Sequence, residues 1–101
     1  MAFSDWWTFS QGMIDSDREE GGVYEFADAN GTLIYIGSAN NVKRRLGEHL
    51  GENATTCIKK NAAKYRIEYT PYYQTREKEL YDEFVRQYGK PPKCNQISPT
   101  G

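Results

Sequence analysis

Five side chains in this 101-residue sequence have types and spacings that suit chemistry: Tyr24, Tyr35, Arg45, His49 and Glu77. Arg45 and His49 are four residues apart, so on a helix one stacks a turn above the other. A guanidinium presents a fixed fork of donors that matches phosphate geometry. A carboxylate such as that of Glu77 can hold a hard divalent cation that keeps most of its waters. A free phenol has a pKa near ~10, so Tyr24 or Tyr35 can act as a base only where a neighbour favours the phenolate. Each residue also has a plain reading: a cross-strand aromatic pair, a surface cation, a histidine at the edge of a core. The elements that hold them must decide.

Val23–Phe26 and Leu33–Ile36 are β-rich runs separated by Asp28-Ala-Asn-Gly31, a strong turn signal. With that stretch as the loop, Ala27 faces Thr32 and Tyr24 falls opposite Tyr35, both sharing a face with Phe26 and Leu33. Val23, Ile34 and Ile36 then take the other face and meet the core. Gly22 and Gly37 close the pair, where a missing side chain lets another backbone or a phosphate approach. Asn40 or Asn41 caps a helix through Val42–Leu50, on which Val42, Leu46, His49 and Leu50 follow the helical period. Thr55 to Ala63 reads as a short helix, and Tyr65–Thr70 alternates as a third strand. The last helix starts near Gln74 or Thr75 and ends at Gly89, with an apolar stripe of Leu80, Tyr81, Phe84, Val85 and Tyr88. At ~100° per residue Glu77 falls within that stripe, whereas Glu83 points away. A carboxylate on a buried face is costly without a partner or a task. A salt bridge to an inward arginine, or an overhanging first turn, would meet that requirement too.

The remaining sequence sets bounds. A length of 101 residues suits one domain, and the longest apolar runs of four or five residues fall far short of the ~20 that span a bilayer. Residues 1–20 read as an aromatic-rich extension, Ser4 capping a short helix on which Trp6, Phe9 and Met13 recur. Residues 21–101 form the domain proper. Cys57 and Cys94 lie in no metal-ligand spacing, and with no secretion signal they are expected as reduced thiols in a cytoplasmic protein. The net charge of −1 hides a pattern: −6 over residues 1–39, +5 over 40–66 and 0 over 67–101. Bulk attraction to nucleic acid is excluded, and a local basic face is not.

Gly22-Val-Tyr24, ten residues, then Tyr35-Ile-Gly37, followed by Asn41-Val-Lys-Arg-Arg45, resembles the GIY-YIG nuclease motif. The likeness runs to Pro92-Lys-Cys-Asn95, and short stand-alone bacterial or phage members are most similar. It implies an α/β (α+β) domain with a three-stranded antiparallel sheet flanked by helices. It also implies phosphodiester hydrolysis assisted by one Mg²⁺ or Mn²⁺. Residue by residue, Tyr24 and Tyr35 match the two motif tyrosines, one of them activating water, and Arg45 matches the arginine on the scissile phosphate. His49 matches a position usually His or Tyr, Glu77 the metal-ligand glutamate, and Asn95 the asparagine near the end of the domain. In some relatives the glutamate precedes that asparagine by twelve residues, which here would be Glu83. Helical phase and the Glu-x-x-Leu pattern favour Glu77. Ser38 stands where the family often has a lysine.

DNA is the expected substrate, branched or damaged, with RNA as the alternative and a non-cleaving binding module as the rival function. Lys43 and Arg44, beside Arg45, and Asn95 are expected as further substrate contacts. Backbone contacts carry no sequence readout, so specificity would come from substrate structure, a protein partner or a homodimer.

Overall fold

The structure is a computed structural model, and it describes residues 2–95. Its elements run β1 (Trp7–Thr8), α1 (Gln11–Ile14), β2 (Gly22–Ala27), β3 (Leu33–Ala39), α2 (Val42–Leu50), α3 (Thr56–Asn61), β4 (Lys64–Tyr69) and α4 (Tyr73–Tyr88). The strands form one antiparallel sheet in the order β1-β4-β2-β3. The α+β class stands as expected, with four strands rather than three. No helix among the described residues is long and apolar enough to cross a membrane.

The fourth strand comes from the first twenty residues. The helix expected over Trp6, Phe9 and Met13 gives way to β1 and a four-residue α1 capped by Ser10. Ser4 N–H donates to Ile67 O at 2.8 Å and Phe9 N–H to Ala63 O at 3.0 Å, while the Phe9 ring lies 4.6 Å from that of Phe26. Main-chain partners around β4 and an aromatic pocket beneath outweigh a weak local helix pattern. Ile14, at the end of α1, is buried in the core.

The β2–β3 hairpin has a longer loop than its turn residues suggested. Asp28 Oδ1 accepts from Asn30 N–H at 2.9 Å and from Thr32 N–H at 3.0 Å, and Gly31 takes a positive φ of 86°. Ala27 therefore pairs with Leu33, and the register shifts between Phe26 and Ala27, so that Phe26 pairs with Tyr35 and Tyr24 with Gly37. The tyrosines are diagonal neighbours with ring centroids 6.2 Å apart, not the direct pair expected. Their face also carries the main core, with Phe26, Val42, Leu46, Ile58, Tyr65 and Ile67. Ile34, at the irregularity, joins that cluster, whereas Val23 and Ile36 are buried on the opposite face. Both sides of the hairpin are thus covered, as its continuous apolar runs require.

The opposite face holds two buried acids that had no prior signal. Glu25 pairs with Arg66 at 2.7 Å and Glu68 with Arg76 of α4 at 3.0 Å. Burial raises the Glu25 pKa and Arg66 opposes that rise. The Arg66 guanidinium also stacks between Phe3 and Trp6, 4.2 and 4.6 Å from their ring centroids. Within the basic stretch 40–66, Arg66 thus turns inward to Glu25 and does not add to a local basic face.

Cys57, in α3, and Cys94 form a disulfide across 37 residues. The expectation of two reduced thiols is overturned. Their spacing says nothing about pairing, and only the fold brings α3 and the segment after Pro92 together. Cys94 N–H donates to Ile34 O at 2.8 Å, and the Asn95 amide both accepts from Ile36 N–H at 2.9 Å and donates to Ile36 O at 3.0 Å. Closing a loop of 37 residues restricts the unfolded chain by about 4 kcal/mol in the chain-entropy model. Urea unfolding with and without a dithiol reductant should show a loss of that order. A Cys57→Ser/Cys94→Ser double variant should unfold at the same urea concentration whether or not reductant is present.

Candidate active site

The hairpin and α2 bring the first group together. Asn41 accepts from Arg44 N–H through its side chain at 3.0 Å, which starts α2 where the sequence placed it. Val42 and Leu46 anchor that helix in the core, and the same face sends Arg45 and His49 toward the tyrosines. Gly37 explains why the motif ends on glycine. A Cβ there would come within 2.6 Å of Tyr24 Cζ and 2.8 Å of Tyr35 Cε2. At Gly22 a Cβ would meet Glu68 O at 2.6 Å, so one glycine admits a tyrosine ring and the other the backbone of β4.

Tyr24 is the centre of the cluster. Its hydroxyl lies 2.9 Å from His49 Nε2, and its ring contacts those of Tyr35 and His49. Burial, then the neighbouring Tyr35, push its pKa far above the ordinary phenol range, against the pull of Arg45. Burial also raises Tyr35, with Glu77 adding to the rise and Arg45 and Tyr24 opposing it. His49 is pushed the other way, to about 4, by burial and then by the Arg45 charge. Both partners are therefore neutral near pH 7, and the His49 tautomer sets which of them donates across the 2.9 Å contact. Burial disfavours the Arg45 charge, but Tyr24, Glu48 and Tyr35 more than offset it and raise its pKa. Arg45 also lies 3.4 Å from Glu48. A groove of about 420 Å³ opens beside the cluster, with Tyr35, Arg45, Glu48, His49, Thr55 and Cys94 in its walls.

The histidine makes a pH prediction. Its folded pKa of about 4 lies below the ordinary 6.5, so the unfolded chain binds the extra proton first. Its contribution to stability is complete above pH 6.5 and is lost as the pH falls toward 4. The full difference is on the order of 3 kcal/mol. Thermal melts from pH 7 to 4 should show this slope in the wild type and a flatter one in His49→Gln.

Helix α4 supplies the acid. It spans Tyr73–Tyr88, beginning slightly before the expected Gln74 or Thr75 and ending at Gly89 with φ 80°. Glu77 is half-buried on its inward stripe, and Glu83 is exposed. The Ser38 hydroxyl donates to Glu77 Oε1 at 2.5 Å. Glu77 is close enough to influence both tyrosines electrostatically. Among the described residues no three His, Cys, Asp or Glu side chains cluster as a metal cage. A single placed carboxylate suits Mg²⁺, which takes one or two carboxylates and keeps its waters.

The three expected substrate contacts, Asn95, Arg44 and Lys43, have protein neighbours of their own. Asn95 has both ends of its amide on the Ile36 main chain. Arg44 pairs with Asn40 at 3.2 Å and with Glu48 at 3.8 Å, and Lys43 lies on the side of α2 near Asp17. Ser38 is the site residue that sequence reasoning missed as a partner. It lies 39 residues from Glu77, so no local pattern links them.

Residues 20–85 match the family model described as the GIY-YIG catalytic domain. The chain belongs to the GIY-YIG family. The GIY-YIG N-terminal endonuclease domain of UvrC from Thermotoga maritima, bound to magnesium, superposes with a TM-score of 0.62 at 26% identity, covering 82% of this chain and 91% of that one. In sequence, this GIY-YIG domain is 28% identical over 83 residues to the UvrABC system protein C of Serratia proteamaculans, covering 78% of this chain and 13% of that protein. It is 40% identical over 38 residues to the same protein of Bacteroides fragilis, covering 38% of this chain and 6% of that protein. The protein YurQ of Bacillus subtilis is 22% identical over 68 residues, covering 67% of this chain and 55% of that protein. The GIY-YIG domain thus spans a small fraction of the UvrABC proteins that it matches.

Proposed function

We propose that this GIY-YIG endonuclease hydrolyses DNA phosphodiester bonds in a divalent-cation-dependent reaction centred on Tyr24, Tyr35, Arg45, His49 and Glu77. The observation that carries the reading is their convergence: Tyr24, 2.9 Å from His49, also senses Arg45, Tyr35 and Glu77. Likeness to an endonuclease domain bound to magnesium supports both the activity and the cation. Arg45 binds the scissile phosphate, its fork of donors leaving Glu48 for the phosphoryl oxygens. Tyr35, in the wall of the groove, remains a neutral phenol whose Oη accepts a hydrogen bond from the attacking water and orients it, while the cation, when bound, would supply the acidity that deprotonates that water. Tyr24 stays protonated behind it and keeps His49 in one tautomer. Glu77 holds the cation, Mg²⁺ or Mn²⁺, which when bound neutralises charge on the phosphate and the leaving oxygen.

Supercoiled plasmid and branched DNA, incubated with Mg²⁺ or Mn²⁺, should be nicked, and EDTA should stop the reaction. Binding without nicking under either metal would leave a binding module in place of a nuclease. Cleavage confined to RNA would reassign the substrate.

A further inference from the structure

We infer that Ser38 is a positioning residue that fixes the Glu77 carboxylate for cation binding, an inference that rests on Glu77 as the residue holding the cation. A glutamate near the start of a helix has three side-chain torsions to fix, and ordering such a chain costs conformational entropy. In this structure the cost is met from β3. The Ser38 hydroxyl, adjacent in sequence to Gly37, donates to Glu77 Oε1 at 2.5 Å, and both side chains are half-buried. Among the described residues no other hydrogen bond or ion pair engages the Glu77 carboxylate, so Ser38 occupies one oxygen and leaves the other for the ion.

The same contact ties α4 to the strand that carries Tyr35. The packing of α4 against β3 would not by itself orient a terminal carboxylate, because it fixes only the backbone approach of the helix. A hydroxyl at hydrogen-bonding distance does so. It is small and uncharged, and it does not compete with a cation for the carboxylate as an ammonium would. Burial of Tyr35 beside this carboxylate makes its position matter twice, once for the ion and once for the phenol.

The test is a Mn²⁺ titration followed by electron paramagnetic resonance, without DNA, on the wild type, Ser38→Ala, Ser38→Thr and Glu77→Gln. Ser38→Ala should bind Mn²⁺ roughly tenfold more weakly, the range seen when a group that orients a metal ligand is removed. The Mn²⁺ concentration for half-maximal nicking should rise by the same factor, and much of the loss should recover at saturating Mn²⁺. Ser38→Thr, which keeps the hydroxyl, should restore affinity. Wild-type affinity in Ser38→Ala together with lost binding in Glu77→Gln would overturn the role of Ser38 while sparing that of Glu77. Undiminished binding in Glu77→Gln would overturn both. Circular dichroism melts of each variant separate these outcomes from unfolding.

Discussion

Arg45→Ala should lose about 10²–10³-fold in single-turnover nicking of supercoiled DNA, the cost of removing one preorganised donor from developing charge. The fold should survive. The Arg45 side chain is 37% exposed and its partner Glu48 54%, so their ion pair contributes little to stability. Arg45→Lys should recover only part of the rate, because an ammonium keeps the charge and lacks the planar fork. A second readout does not depend on DNA. Arg45 helps hold the His49 pKa down, after burial. Its removal should therefore raise the His49 titration midpoint measured by NMR. Wild-type nicking by Arg45→Ala would remove the phosphate role altogether.

The larger loss is expected from Glu77→Ala. Charge stabilisation by a bound cation is worth several kcal/mol, which corresponds to about 10³-fold or more in rate. Added Mn²⁺ should not restore activity, because the ligand itself is missing. Glu83→Ala is the paired control. Glu83 is exposed on α4 whereas Glu77 is half-buried and held by Ser38. The Glu83 variant should nick DNA at the wild-type rate, and a dead Glu83→Ala beside an active Glu77→Ala would reverse the assignment.

Much of this site was legible in the sequence because its signals are local. The two motif tripeptides, the Asn41 cap and the helical phase of Arg45, His49 and Glu77 each depend on neighbours a few residues away. What failed depended on distant chain or on the exact conformation of one short loop. The bulge near Ile34 displaced Tyr24 from Tyr35, and the hairpin register was set by the loop from Asp28 to Thr32. Backbone partners along β4 decided that Trp7 and Thr8 would extend rather than coil. Arg66 counts toward the +5 of residues 40–66, yet it pairs with the buried Glu25, its cross-strand neighbour, which no local pattern reveals. Cys57 and Cys94 could not be matched by spacing. The bonds of Asn95 to the Ile36 main chain likewise become visible only when the two segments meet.

That placement of Asn95 has a consequence for how the molecule behaves in company. β3 is an edge strand, and the open N–H and C=O groups of an edge invite pairing with another chain. Here Cys94 occupies Ile34 O and Asn95 occupies both polar groups of Ile36, while the opposite edge, β1, is two residues long. Among the described residues, the hydrogen-bonded Ile34 and Ile36 and the short β1 leave neither border a long run of open backbone. The disulfide ties the segment that covers Ile34 and Ile36 to α3, so the reduced protein should scatter more light on prolonged incubation than the oxidised protein at the same concentration.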